Sequence, residues 1–308
     1  MAALSIPLFL LPSLAAAYTF KFTSVPTQCQ ELSLAIEGQG SPPYKVLIIP
    51  VGPSTAPNNV EVRTVIDQTF PNNGTTISFP LRFPTNSQFV AVVRSSTLVS
   101  SSFRPHTRPA AQVSDQSGFG SGGTSVSVTV QSSSNSSCYD TSQTVQPQFV
   151  FSLYPDKSLT QCSTTRLWWD NTTVQGYAIK KPPFRDHSAL TSRIFSIPTF
   201  QGLIPGGQSF QIPQGDISSI DGQGTGFSWT PSVRAGSTVI ITAGDNRGSG
   251  NGGSAPFIVG YGDNSCLNNN SPSSTPGSPA GGSYPTSTNG SGQGGHSSGF
   301  VFSLGISP

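Results

Sequence analysis

Charge is what this chain has least of. Only 9% of its 308 residues are charged, and it holds one methionine, three histidines and four cysteines. With so few charged helix formers, a helix bundle or coiled coil is excluded. No run reaches the roughly 18–20 apolar residues of a membrane-spanning helix. No GPI-type hydrophobic tail closes the chain either. The cysteines stand at 29, 138, 162 and 266, never as C-x-x-C, and the histidines are scattered. That spacing offers no zinc site, and no metal or cofactor is expected. Nucleophilic catalysis needs a positioned base. His106 and His187 fall in two segments set apart below, and His296 falls in a Ser/Gly-rich tail. No local pattern selects a carboxylate pair for glycoside hydrolysis. The chain therefore reads as a non-enzyme.

What the chain has in quantity is glycine (33), proline (27), serine and threonine. Residues 1–17, MAALSIPLFLLPSLAAA, have an apolar centre and an A-x-A site before Tyr18. They read as a secretory signal peptide. Five N-x-[ST] sequons, at Asn73, Asn135, Asn171, Asn269 and Asn289, fit N-glycosylation of a secreted protein.

One glycine run occurs twice. Residues 115–124 read DQSGFGSGGT and residues 245–254 read DNRGSGNGGS, 130 positions apart. Around each copy the same grammar returns. T-Q-C stands at 27–29 and 160–162, and Ile48-Ile49-Pro50 is matched by Leu203-Ile204-Pro205. Short alternating runs such as YTFKFTS, ELSLAIEG, TSVSVTV and QFVFSL are separated by Pro-Asn-Asn-Gly and Pro-Thr-Asn turns. The expected fold is all-β, two tandem antiparallel Ig-like β-sandwich domains over 18–138 and 139–266. A disordered Ser/Pro/Gly-rich stalk over 267–308 follows. Four cysteines allow three pairings. The repeat favours Cys29–Cys138 and Cys162–Cys266, because each domain then closes on itself.

Each run contains G-x-G-x-x-G, but a dinucleotide site needs a helix to begin there. An alternating strand follows instead, so the run is read as a connection between strands. Asp115 and Asp245 either cap that turn through backbone amides or contribute to a calcium site.

Two 20-residue stretches, 93–112 and 177–196, have no counterpart in the other domain. They hold seven of the 15 Lys and Arg residues and one acid, Asp186. They are disordered insertions or retained introns. The codons allow the latter: Gly-Tyr-Ala at 176–178 can be written GG/GTATGCC, and Phe195-Ser196 can end TTCAG/C. Without both stretches the balance is eight basic against twelve acidic residues, −4 rather than +2. The mild positive charge thus points to neither nucleic acid nor membrane surface. A transcript lacking 60 bases at each place is expected; a peptide crossing Gly176–Tyr177 in the mature protein refutes it.

Trp168, Trp169 and Trp229 are the candidate glycan-binding residues, if exposed on a sheet face. Adjacent strand residues point to opposite faces, so one of Trp168 and Trp169 is expected inside and the other outside.

T-Q-C, L-I-P-G-G at 203–207, G-x-G-x-G-G-[ST] at 118–124 and 248–254, and NSCLNNNSPSS at 264–274 together carry a resemblance. The chain resembles a family of uncharacterised fungal, basidiomycete-type cell-surface proteins. The resemblance implies a signal peptide, a tandem β-sandwich ectodomain, a Ser/Thr-rich stalk and usually a C-terminal transmembrane helix, which is absent here. It implies a secreted or surface-anchored glycoprotein with a structural or adhesive role. The partners it implies are cell-wall polysaccharide or other surface proteins. A membrane partner enters only if a missing C-terminal exon supplies an anchor. The runner-up is a carbohydrate-binding module using exposed tryptophans.

Overall fold

The computed structural model describes residues 18–38, 40, 42–95, 120–156, 158–175 and 197–272. The signal-peptide reading, most of both 20-residue stretches, Asp115, Asn289 and the stalk beyond residue 272 lie outside these residues.

The first domain contains β1 (Tyr18–Phe22), β2 (Glu31–Gly38), β3 (Tyr44–Val51), β4 (Ile66–Thr69), β5 (Thr76–Pro80), β6 (Gln88–Ser95) and β7 (Val128–Thr129). They form two antiparallel sheets, β1-β2-β5 and β4-β3-β6-β7. The second contains β8 (Phe151–Tyr154), β9 (Leu159–Thr160), β10 (Thr165–Trp169), β11 (Thr199–Leu203), β12 (Ser209–Gln211), β13 (Ile217–Ile220), β14 (Gly224–Trp229), β15 (Thr238–Gly244) and β16 (Ser254–Gly260). Its sheets run β13-β14-β10-β8 and β12-β11-β15-β16-β9. Among the described residues β9 pairs in parallel with β16, and a parallel bridge joins Thr27 to Gln131 in the first domain. That is the strand order of an immunoglobulin-type sandwich.

Alternation gives each sandwich its core. In β2, Leu32, Leu34 and Ile36 are buried, while Glu31, Ser33, Ala35 and Glu37 lie on the more exposed side. Phe20, Phe22, Phe83 and Phe89 fill the first core. Leu167, Trp169, Phe200 and Phe227 fill the second.

Both predicted disulfides are present, Cys29–Cys138 and Cys162–Cys266. The glutamine of each T-Q-C explains why the motif repeats. Gln28 donates to the carbonyls of Ser133 and Asn135 and accepts from the Thr85 amide. Gln161 donates to the Asp263 carbonyl and Asn264 and accepts from the Ala235 amide. Both glutamines are 5% exposed. Each ties the loop before an equivalent inner-sheet strand, β6 or β15, to the segment carrying the closing cysteine. A buried primary amide can serve donors and acceptors at once, which no apolar residue can do.

Three strands of the sequence are continuously apolar: Val46–Ile49, Phe89–Val93 and Val239–Ile241. The structure gives the reason. Leu47, Ile49, Val90 and Val92 leave the first core and pack on Leu203 and Ile240 of the second domain. The two inner sheets thus stack face to face, and their strands are covered on both sides. The molecule is four sheets deep.

The glycine runs sit at this junction. Gly120 and Gly250 hold equivalent places in the two copies, at φ 72° and 80°. A Cβ on Gly120 would lie 2.7 Å from Ser209 Cβ in the second domain. One on Gly250 would lie 2.6 Å from Val65 Cγ1 in the first. Each run thus packs on the other domain, as an approximate internal two-fold requires. Gly250→Val is expected to destabilise by about 2 kcal/mol or more, from left-handed strain plus the clash with Val65. Urea denaturation measures it; a cost below about 0.5 kcal/mol would contradict the close approach.

Four expectations need correction. Leu203 pairs with Ile240 as Ile49 pairs with Val90. The Leu-Ile-Pro match is therefore shifted by one residue from Ile-Ile-Pro. Of TSVSVTV only Val128–Thr129 is a strand. Ser125 interrupts the ladder: its hydroxyl accepts from the Ala91 amide, and its carbonyl accepts from Gly206 in the second domain. Of the run Glu61–Thr69, which its sequence offers as one strand, only Ile66–Thr69 is strand; Arg63 before it donates to the carbonyls of Val51 and Gly52. Finally, Val93, Arg94 and Ser95, the start of the first unmatched stretch, continue β6 opposite Val46, Lys45 and Tyr44.

Candidate functional site

Two clefts open between the domains. One, of about 680 Å³, is lined by Lys45, Asp67, Arg82, Arg247, Ser249 and Asn251 among others. The other, of about 690 Å³, is lined by Glu61, Arg63, Val145, Pro147, Ile240 and Asn251 among others. Of their charged groups, Arg63 and Arg247 hold backbone. Arg63 is buried, bonds Glu61 through Nε and Nη2, and clamps the β3–β4 connection. Burial raises the Glu61 carboxyl, but the bonds from Arg63 and its backbone bonds outweigh it and hold it below the usual range. Arg94 Nη2 lies 3.7 Å from Asp67.

Asp245, in the second glycine run, has a fully buried side chain. Its carboxylate accepts from the Gln175 amide at 3.0 Å, the Arg247 amide at 3.0 Å and the Arg247 guanidinium. Arg247 in turn donates to the Thr173 carbonyl. This is the predicted turn cap, extended to Thr173 and Gln175 in the segment after β10. A guanidinium occupies the place a cation would take, so the calcium alternative is set aside for Asp245. Burial raises the Asp245 carboxyl, and the bonds from Arg247, Gln175 and Asn251 outweigh that and hold it low. Its stabilising effect is therefore complete above the unfolded-state value of about 3.9 and fades as pH falls through the folded-state value. The stability gap between wild type and Asp245→Asn is expected to narrow between pH 5 and pH 2.5, read from urea midpoints. A gap independent of pH would contradict the assignment.

The tryptophans separate sharply. Trp169 is 0% exposed, its ring centroid 5.7 Å from Phe200 and 6.3 Å from Phe227. Trp229 is buried beside Phe210. Both are core residues and cannot stack on a sugar. Trp168 alone faces outward, half-buried on the outer sheet. It sits between Ser152 of β8 and Gly226 of β14. Arg166, two residues earlier, lies on the same face and is 8% exposed. Its Nη1 donates to Ser218 Oγ and its Nη2 to the Ser218 and Gly224 carbonyls. Burial lowers the Arg166 pKa. Sequence reasoning missed Arg166 because a lone arginine in a strand carries no motif.

No family model matches this chain, and no curated protein matches it. Among solved structures, invasin, a bacterial integrin-binding protein, aligns over 80% of the chain at 11% identity and a TM-score of 0.21. The aligned part spans 39% of that protein's length. A likeness at that score carries no argument about function, and the strand order itself defines the sandwich.

Of the sequons, Asn73, Asn135 and Asn269 are exposed, and Asn171 is half-buried in the turn after β10. Asn135 and Asp263 play the same part before their cysteines. Each side chain accepts from the amide and hydroxyl of the serine two residues on.

Proposed function

We propose that this protein is a secreted or cell-surface glycoprotein with a structural or adhesive role and no catalytic activity. The observation that carries this reading is the apolar contact of Leu47, Ile49, Val90 and Val92 with Leu203 and Ile240. It joins two disulfide-closed sandwiches into one stiff unit, the property a spacer or adhesive module needs. Both disulfides favour an oxidising, extracellular setting. Among the described residues no helix is long and apolar enough to cross a membrane. Arg63 and Arg247, the arginines with backbone bonds in the clefts, are engaged in holding loops, which supports a non-catalytic reading. Cell-wall polysaccharide and other surface proteins are the partner classes.

The test is a tagged full-length chain expressed in its own cells. The tag is expected on intact cells or in the medium, with a mass that falls after N-glycan removal. Attachment of expressing cells to wall material is expected to exceed that of cells lacking the protein. Retention inside the cell with four free thiols would end this reading.

A further inference from the structure

The sheet-on-sheet junction leaves two broad faces outward, that of β1-β2-β5 and that of β13-β14-β10-β8. They hold equivalent register positions, so they can be compared residue by residue. On the first, Lys21, Ala35 and Thr76 lie in one row across the sheet. Ser33 and Ser78 lie in the next and bond one another. Lys21 pairs with Glu37. This is an ordinary solvated surface. On the second, the first row is Ser152, Trp168 and Gly226, and the next is Tyr154, Arg166 and Ser228. A small or hydroxylic residue has become an aromatic or an arginine at three places: Thr23 to Tyr154, Ser33 to Arg166 and Ala35 to Trp168.

We infer that this outer face of the second domain, centred on Trp168 with Tyr154 and Ser152 beside it, binds a neutral hexopyranose chain. The inference rests on the adhesive reading and names its ligand class. Three observations carry it. First, Gly226 beside Trp168 has no side chain, and a Cβ there would meet the Leu167 carbonyl oxygen at 2.3 Å. Gly226 is itself buried, and a Cβ on Gly224 would lie 3.5 Å from Trp168 Cε3, so the indole lies along these two glycines with its other side to solvent. A flat aromatic ring offers its face to the C–H face of a sugar, while polar groups around it fix orientation. Second, Ser152 stands beside Trp168 in its row, Ser228 stands in the next, and Tyr154 is 56% exposed on the diagonal from Trp168. Third, Arg166 is spent on Ser218 and Gly224. It is a positioning residue that ties β13 to β10, and it brings no free cation to the face. Asp170, two residues beyond Trp168, is likewise engaged with Thr172. An uncharged ligand follows.

A protein partner fits less well. A stable interface covers about 800 Å² per partner around an apolar centre. Here the centre is a single indole, Trp168, bounded in its row by Ser152 and Gly226, and the large exposed apolar groups, Tyr154, Ile220 and Val150, lie on or beside the two edge strands.

The test uses the full secreted chain and its Trp168→Ala and Tyr154→Ala variants. Binding is measured to chitin and β-glucan oligosaccharides, as wall ligands, and to a high-mannose glycan, as a glycoprotein ligand. Saturable binding to at least one is expected, weakened about tenfold or more in Trp168→Ala, with the thermal midpoint nearly unchanged. The sugar is also expected to shield Trp168 from acrylamide quenching, a change that Trp168→Ala abolishes. No binding to any of the three overturns the site, as does binding that survives Trp168→Ala. Dimerisation of the wild type that Trp168→Ala abolishes also overturns it, by making the face a protein interface. Wall adhesion that persists in Trp168→Ala leaves the adhesive reading standing without this site, whereas absence of adhesion in the wild type removes the reading itself.

Discussion

Trp169→Ala is expected to lower the stability of the second domain by about 3–5 kcal/mol, while Trp168→Ala costs under about 1 kcal/mol. The two residues are neighbours of one chemical type, so the contrast isolates position. Trp169 is 0% exposed and touches the rings that line both sheets, Phe200 and Phe227. Removing its indole leaves a cavity between sheets that hydrogen-bonded ladders keep from collapsing. Trp168 has solvent on one side, so its loss opens no cavity. A domain of this size has about 5–15 kcal/mol of net stability in all. Trp169→Ala therefore populates the unfolded state measurably at moderate urea. Trp169→Phe is expected to cost less than alanine, because it keeps ring contact and removes a buried indole N–H that has no acceptor. Urea titrations followed by far-UV circular dichroism read all three. Equal costs at 168 and 169 would contradict the in–out assignment of β10.

Replacing Cys162 and Cys266 together by serine is expected to cost about 2–4 kcal/mol, and the Cys29–Cys138 pair a similar amount. The bridged positions are 104 and 109 residues apart. Closing a loop of about 100 residues is worth at most about 4.7 kcal/mol in the chain-entropy account. The native segment should stay in place without the bridge, because Gln161 still donates to the Asp263 carbonyl and accepts from Ala235. The loss then lies mainly in the unfolded state. The prediction is a lower urea midpoint with an unchanged native spectrum. A changed native spectrum would show that the bridge, rather than Gln161, holds the closing segment. Gln161→Ala in the serine background then removes the remaining tie and is expected to release the segment to proteolysis, since it strands buried partners.

Much of this was legible along the chain. Alternation in YTFKFTS and ELSLAIEG placed strands, because a half-buried sheet demands a period of two. Asn72 and Asn73 sit at positive φ where Pro-Asn-Asn-Gly announced a turn, and Asn86 where Pro-Thr-Asn did. The duplicated motifs predicted two domains and the disulfide pairing. Other features could not be read locally. Nothing in T-Q-C says that its glutamine bonds groups 57 to 107 residues away. The continuous apolar runs at 46–49 and 89–93 fit a buried strand of any kind until their second face found Leu203 and Ile240.

The sequence by itself determined the strand content, the two-fold repeat and the cysteine pairing, since these follow from local periodicity and duplication. Only the tertiary structure decided what the glycine run is for and which tryptophan is free. Gly120 and Gly250 need positive φ and no Cβ because the opposite domain stands against them. Trp168 is outward and Trp169 inward because the register of β10 against β14 puts Gly226 beside one and the core rings around the other. Both depend on contacts between residues distant in sequence, which no local pattern encodes.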